Sequence, residues 1–352
     1  MSEEGPTPVT TSAPKSSEDT ADPIGVGILS FAHGHAEGYV GCLTAMPDVR
    51  LGAIADEDET RGRAAAARYG AAYDRDAQTL LARDDIQAVV ICSENARHKE
   101  LTAAAAEAGK HVLCEKPIAL NAEEARTLLA VRDRTGVRIQ EGFMIRSHPQ
   151  WLRAKALVDG GELGDVRAMT GFFSYLNADA GNVRNVPGWG GGGLLDIGCY
   201  LVNTARFIFG AEPSRVAGTM EIDPAFGVDR LASMILDFGG HHAIGTCSTQ
   251  LQYYQRVQIV GTRGRLDIEI PFNAPTDRPC RLAFDRTGEI HGSGVEAIEF
   301  DVCNQFTLQA EEFAIGILEK RPQVSPLEDS IANMACLDAV ARSSATGAWE
   351  VP

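Results

Sequence analysis

A doubly wound parallel sheet joined to an α+β domain with a large, mostly antiparallel sheet is the α/β architecture that this sequence predicts. Three observations predict it. From residue 23 to about 143, short apolar strands alternate with helices that stop at glycine. After Pro149 the pattern changes to longer runs in which apolar and polar residues alternate. The change falls where a chain of 352 residues is expected to divide into two cores. The expected organisation is a disordered tail over 1–22, a first domain over 23–145 and a second over 146–352.

Strands are expected over 26–29 and 49–55, the second ending at Asp56, with a helix between them. An alanine-rich helix over 61–69 stops at Gly70, and a strand covers 88–92. The helix over 100–108 stops at Gly109 before a strand that ends at Cys114; a helix over 123–134 and a strand over 137–140 follow. Strands apolar without alternation are buried on both faces, which implies a parallel sheet with right-handed crossovers. Pro149 suits the first turn of a helix running to 158. Strand composition then marks 166–175, 216–222, 232–238, 243–251, 255–260 and 265–270, and helices are expected over 194–209, 306–318 and 329–343. Alternation in several of these strands leaves one sheet face exposed or used for association.

A net charge of −16 argues against nucleic acid or an anionic membrane surface as partner. No apolar run approaches the roughly 20 residues that span a bilayer. The first 22 residues, rich in Ser, Thr, Pro and Glu, lack the apolar core of a signal peptide, so a cytoplasmic location is expected. The eight cysteines are scattered without a Cys-x-x-Cys pair and read as small buried hydrophobes. No metal site is expected; His241 and His242 follow two glycines at a hairpin tip.

Open parallel sheets bind ligands at the carboxyl ends of their strands. A dinucleotide site would show Gly-x-Gly-x-x-Gly after the first strand. Here the turn reads Ser30-Phe31-Ala32-His33-Gly34-His35, with Ser30, Ala32 and His35 in the glycine places. Ser30 and Ala32 are small enough for backbone to approach a pyrophosphate, and the amides of the next helix can bind anions. His35 has no evident role in such a turn. Asp56, 26 residues after Ser30, stands where a carboxylate accepts hydrogen bonds from ribose hydroxyls, with Glu57 and Asp58 beside it. A 2′-phosphate about 4 Å from a carboxylate meets roughly 4 kcal/mol of repulsion at an effective dielectric of 20, so NAD is preferred and NADP stays possible through Arg61. Alternatively, Asp56 opens the following helix.

Two further segments carry chemistry. Gly109 to Pro117 is a helix stop, an apolar strand and the pair Glu115-Lys116 ahead of a proline. The proline biases Lys116 toward an extended conformation, which orients its ammonium at the sheet edge. The plainer alternative is a solvated charge pair at a strand end. In the segment Trp189 to Tyr200, four glycines precede Asp196, and Tyr200 follows four residues later, on the same helical face. A carboxylate and a phenol brought near a lysine make an acid/base site; separately, Asp196 reads as a helix cap and Tyr200 as core.

With these segments, Cys92-Ser93-Glu94-Asn95-x-x-His98 and Ile259-Val260-Gly261-Thr262-x-Gly264, the chain resembles the Gfo/Idh/MocA oxidoreductases from Pro23 to its C-terminus. The family includes glucose-fructose oxidoreductase and inositol dehydrogenase. The resemblance implies a Rossmann domain whose Lys116 lies beside the nicotinamide, often with a cis peptide before the proline, and it makes Asp196 and Tyr200 the proton-transfer group. It implies cofactor contacts from Ser30, Phe31, Ala32, His33, Asp56, Ser93, Asn95, His98, Glu115 and Lys116. Met144, Arg146, Tyr175, Arg184, Trp189 and Asp196 would line the substrate cleft. Tyr200 and the segment Asn182-Val183-Arg184-Asn185 look most like the aldose (xylose-type) and dihydrodiol dehydrogenase branch. The departures are the glycine-poor turn and Ser93-Glu94 in place of Thr-Pro.

The implied activity is hydride transfer between a nicotinamide and a hydroxyl or carbonyl carbon of a sugar or polyol, with Tyr200 as acid/base. Lys116 is expected to favour the phenolate and so lower the phenol's pKa. Relatives pair through the C-terminal sheet, so a homodimer or homotetramer is expected. Two other readings use the same fold: an NAD-retaining glycosidase, and a ligand-sensing regulator without catalysis.

Overall fold

The computed structural model describes residues 23–32 and 34–352; the tail over 1–22 and His33 lie outside the described residues. Strands β1 (Ile24–Leu29), β2 (Val49–Ala55), β3 (Ala72–Asp74), β4 (Ala88–Ile91), β5 (His111–Glu115) and β6 (Ile139–Gly142) make one sheet. Its order is β3-β2-β1-β4-β5-β6, with every pair parallel. The connections are α1 (His35–Leu43), α2 (Glu59–Tyr69), α3 (Ala77–Leu81), α4 (Asn95–Glu107) and α5 (Ala122–Thr135). Burial explains the wholly apolar β1 and β4, in which every residue is buried. The chain direction reverses its progress across the sheet between β1 and β4, and that crevice is where such sheets hold ligands.

Beyond α6 (Pro149–Asp159) come β7 (Val166–Leu176), α7 (Cys199–Phe209), β8 (Arg215–Ile222), β9 (Asp229–Asp237), β10 (His242–Ser248), β11 (Gln250–Gly261), β12 (Arg265–Ile268), β13 (Cys280–Asp285) and β14 (Glu296–Phe300). They form an eight-stranded sheet, β14-β13-β12-β11-β7-β10-β9-β8, antiparallel except where β10 runs parallel to β7. Helices α8 (Gln305–Leu318) and α9 (Leu327–Thr346) close the described chain. α8 returns to the first sheet, where Ala310, Phe313 and Ala314 share a core with Ile24, Val26 and Ile28.

The structure adds β3, α3, β13 and β14 to the elements expected from sequence. The first two are only three and five residues long, and β14 is a largely exposed edge strand without a clean apolar face. The run over 243–251 is two strands, because Thr249 separates β10 from β11 and Ser248 Oγ accepts from Gln250 N at 3.1 Å. Gly239-Gly240 turn between β9 and β10 as expected, closed by a bond from Phe238 N to His241 O at 2.8 Å. All eight cysteines are free.

Glu141 of β6 is buried, and its Oε1 accepts from Ile118 N at 2.8 Å. Burial pushes its carboxyl up to about 7. Between an unfolded value near 4.3 and about 7, the native state holds a proton that the unfolded chain has lost, so this group's contribution falls as pH rises and is flat above. Glu141→Gln keeps the acceptor and removes the ionisation. Its stability should match wild type at pH 4 and exceed it by up to about 3 kcal/mol at pH 8, read from denaturant midpoints at both values.

Candidate active site

β5 delivers Glu115 to the carboxyl edge of the first sheet, and the Lys116–Pro117 peptide is cis. Lys116 is buried, and its Nζ donates to Asp196 O at 2.6 Å and to Asp196 Oδ1 at 3.1 Å. The same ammonium lies 5.2 Å from the centroid of the Tyr200 ring. Burial opposes the Lys116 charge, but the Asp196 carboxylate, with Cys199 and Glu115, outweighs it and holds the ammonium above its ordinary value. Asp196 also accepts at Oδ2 from Arg184 Nε at 3.0 Å and from the Tyr175 hydroxyl. One carboxylate thus gathers a lysine from the first sheet, a tyrosine from β7 and an arginine from a short turn.

The geometry that makes this possible is a π-helical turn, Leu194–Gly198, leading into α7. Such a turn is wider than an α-turn and recurs at functional sites. Asp196 consequently faces the cleft, whereas the Tyr200 hydroxyl contacts Met144 Sδ at 3.4 Å. Burial first, then the charges of Glu115, Cys199 and Asp196, push the phenol well above its ordinary value. The expected lowering by Lys116 does not occur, because the ammonium sits over the ring and bonds Asp196. Asp229 of β9 secures the turn by accepting from Leu194 N at 2.7 Å. A β-carbon at Gly192, whose φ is +116°, would lie 2.1 Å from Asp229 Oδ1, so glycine is required there.

At the first turn, Ser30 adopts φ +71° in the place of the first glycine. Its Oγ accepts from Ala32 N at 3.1 Å and donates to Glu57 Oε1 at 3.1 Å, which offsets part of the left-handed cost. Asp56 is arranged differently from the expectation. Its oxygens accept from Phe31 N (2.7 Å), Asp58 N (2.8 Å) and, in a two-point contact, from Arg61 Nε (2.9 Å) and Nη2 (2.7 Å). Asp56 therefore shapes the turn and anchors Arg61, and Glu57 is the more exposed carboxylate. Asp58, not Asp56, caps α2 by accepting from Arg61 N at 3.0 Å. A cavity of about 180 Å³ opens at this strand end between Ser30, Glu57 and Arg97.

Of the other residues singled out, His98 is buried with its nitrogens 2.7 Å from Pro117 O and 3.0 Å from Ser93 O, so it ties β4's end to the cis turn. Asn95 donates to Gly190 O at 2.8 Å and holds the glycine segment. Ala32, Ser93, Asn95, Arg184 and Trp189 meet in the crevice beside Asp196. A cleft of about 490 Å³ holds Lys116, Asp196, Tyr200, Tyr175 and Arg184. Met144 and Arg146 do not line it. Met144 is buried behind Tyr200, and Arg146 packs over Phe207 at 4.3 Å and pairs with Asp329 at 3.5 Å. Sequence reasoning missed Asp229, which no motif marks, and assigned no role to His35, which lines the cleft. The signal for His35 was its presence in a glycine place.

Two family models match, one described as an oxidoreductase family with an NAD-binding Rossmann fold over residues 24–143 and one as a GFO/IDH/MocA C-terminal domain over 151–267. An uncharacterised oxidoreductase of Rhizobium meliloti is 41% identical across 94% of this chain and 99% of its own length. The chain belongs to the GFO/IDH/MocA oxidoreductase family. Another family relative, a D-xylose 1-dehydrogenase (NADP(+)) of Haloferax volcanii, is 34% identical over 88% of this chain and 95% of that protein. Among solved structures, a 3-ketoreductase from Actinomadura kijaniata in complex with NADP and TDP-benzene superposes with a TM-score of 0.85. It is 27% identical, covering 92% of this chain and 98% of that one. The site residues fit the family's dinucleotide: the cavity at the ends of β1 and β2, lined also by the start of α3 and by Arg97 and Leu101 of α4, lies at the sheet's switch point.

Proposed function

We propose that this GFO/IDH/MocA oxidoreductase interconverts a hydroxyl and a carbonyl on a neutral sugar or polyol. The observation that carries the reading is the buried Lys116–Asp196 pair under the cleft, with the Tyr200 ring against the ammonium. A bound nicotinamide supplies the hydride acceptor or donor. Lys116 orients the substrate oxygen by its remaining donor capacity, and Tyr200, kept as a neutral phenol, gives a proton to a carbonyl oxygen or relays one from a hydroxyl. Asp196 fixes Lys116, Arg184 and Tyr175. The cleft's cations among the described residues, Lys116 and Arg184, both bond Asp196, while Asn177, Asp179, Asn273 and Tyr253 supply hydroxyl partners and an aromatic face. That lining suits an uncharged sugar better than a nucleotide sugar, whose phosphates need cations. Assay of the purified protein with NAD and NADP against aldoses, inositols, nucleotide sugars and aryl glycosides tests the reading. Reduction of cofactor by a free sugar supports it; glycoside cleavage without accumulation of NADH would replace it with the glycosidase.

Cofactor preference follows from Arg61. To bind a 2′-phosphate it would have to leave the buried Asp56 carboxylate; because Arg61 is itself 38% exposed and Asp56 keeps its bonds from Phe31 N and Asp58 N, the cost lies below the roughly 3–5 kcal/mol of a fully buried pair. NAD should therefore exceed NADP in kcat/KM by at least about tenfold. Asp56→Ser, which releases Arg61, should narrow or reverse the ratio. A wild-type preference for NADP would show that Arg61 serves the phosphate.

The outer face of the eight-stranded sheet exposes Ile244 beside Ile235, with Leu231 further along β9. Exposed aliphatic residues in one patch suit association. A homodimer or a dimer of dimers is expected, and light scattering at micromolar concentration should give at least twice the 37.6 kDa of the chain. A monomer mass would contradict it.

A further inference from the structure

The helical stretch that carries Asp196 and Tyr200 begins behind four glycines, Gly190 to Gly193, and Gly193 at the cap position offers it no side-chain bond. The first amides of a helix have no acceptor within it, and Leu194 is buried away from water. The acceptor comes from 35 residues downstream, where Asp229 Oδ2 lies 2.7 Å from Leu194 N. The carboxylate is seated closely on the glycines. A β-carbon at Gly193 would lie 3.3 Å from Oδ2, and one at Gly192 would lie 2.1 Å from Oδ1.

Asp229 reaches this place because β9 breaks its alternation. Leu231 is exposed on the outer face and Ala232 is buried on the inner one, so strict alternation would send Arg230 inward and Asp229 outward. The register between β8 and β9 slips by one residue here: Glu221 lies opposite Leu231, but Ile222 lies opposite Asp229. The extra residue turns Asp229 inward, where it is 6% exposed, and leaves Arg230 3.2 Å from Glu221. Burial pushes the Asp229 carboxyl up to about 7, against the pull of the amides of Leu194, Asp229 itself and Gly193. Both protonation forms keep an oxygen for Leu194 N.

On the other side of the turn, Lys116 Nζ donates to Asp196 O and Oδ1. The π-turn is thus pinned at Leu194 from β9 and at Asp196 from the end of β5. Releasing the first pin lets the segment rewind toward α-helical register, and a shift of one residue rotates a side chain by roughly 100° about the axis. We propose that Asp229 is a positioning residue for the reaction: by holding Leu194 N it fixes the register in which Asp196 meets Lys116. This rests on the oxidoreductase reading above. Lys116 faces Glu115 on its own strand, Asp196, Cys199 and Tyr200 from the π-turn and α7, and Arg184 from the short turn Val183–Asn185. Burial opposes its charge, and Asp196 is the strongest of the groups that support it. With Asp196 turned away, burial prevails and the ammonium gives up its proton more easily.

Asp229→Ala should lower kcat about tenfold, with KM for the sugar and cofactor Kd within about threefold of wild type. Asp229→Asn keeps a carbonyl oxygen for Leu194 N and should hold kcat within about threefold of wild type. Asp229→Ser, a bond too short to reach the amide, should match Asp229→Ala and replaces it in the test where the alanine variant does not fold. As a readout apart from turnover, the Lys116 ε-carbon resonance in lysine-labelled protein, assigned by its loss in Lys116→Arg, should titrate at least about one pH unit lower in Asp229→Ala than in wild type. In Asp229→Asn it should stay in place. Wild-type kcat in the folded alanine or serine variant, an unmoved Lys116 resonance, or an asparagine variant as slow as the alanine one would overturn the proposal, whatever the thermal midpoint does. Wild-type protein that turns over no sugar would instead overturn the oxidoreductase reading.

Discussion

Lys116→Ala is expected to reduce kcat by about 10³-fold, the largest single effect in the molecule. Three losses coincide. The substrate oxygen loses its ammonium, Asp196 loses two of its contacts, at 2.6 and 3.1 Å, and the Tyr200 ring loses the cation above it. Because the pair is buried, removing one member also takes the ammonium from a carboxylate that still holds Arg184 and Tyr175, and some loss of thermal stability should accompany the kinetic defect. Lys116→Arg should not rescue, since the planar guanidinium cannot occupy the compact ammonium's place between Asp196 and the ring. Steady-state kinetics alongside cofactor fluorescence titration separates the effects. Turnover within threefold of wild type in a folded Lys116→Ala protein would remove Lys116 from the mechanism.

Tyr200→Phe should lower kcat by about 10²-fold and leave the fold and cofactor affinity intact. Phenylalanine keeps the ring's packing against Phe143, Phe173 and Phe272, whose centroids lie 5.3, 5.8 and 5.6 Å away, and keeps the surface beneath Lys116. Only the hydroxyl and its 3.4 Å contact with Met144 Sδ are lost. A kinetic loss without a change in thermal midpoint would therefore report proton transfer. Unchanged turnover would transfer the acid/base role to another group, with Tyr175 the first to test because its hydroxyl also lies on Asp196.

Much of the fold was legible because its signals are local. The continuous apolar runs of β4 and β5 and the glycine stops at Gly70 and Gly109 mark buried parallel strands and helix ends without reference to distant residues. β13 and β14 were not legible, since their pairing depends on a neighbour strand rather than on their own periodicity. Lys116, Asp196 and Tyr200 could be picked out for the same local reason, each belonging to a short motif. Met144 and Arg146 were misplaced because a polar or sulfur-bearing residue after a strand end looks alike whether it faces a cleft or the interior.

By itself the sequence determined the two-sheet plan, the family and the residue types at the cleft, because periodicity, punctuation and short motifs reside in neighbouring positions. Only the tertiary structure decided which charges meet. Lys116 reaches Asp196 across 80 positions, Arg61 takes Asp56 away from the role its strand end suggested, and His35 finds Glu115 across another 80. Such pairings are set by how the layers pack and by the cost of leaving a buried charge uncompensated, and neither is written in any one stretch of chain.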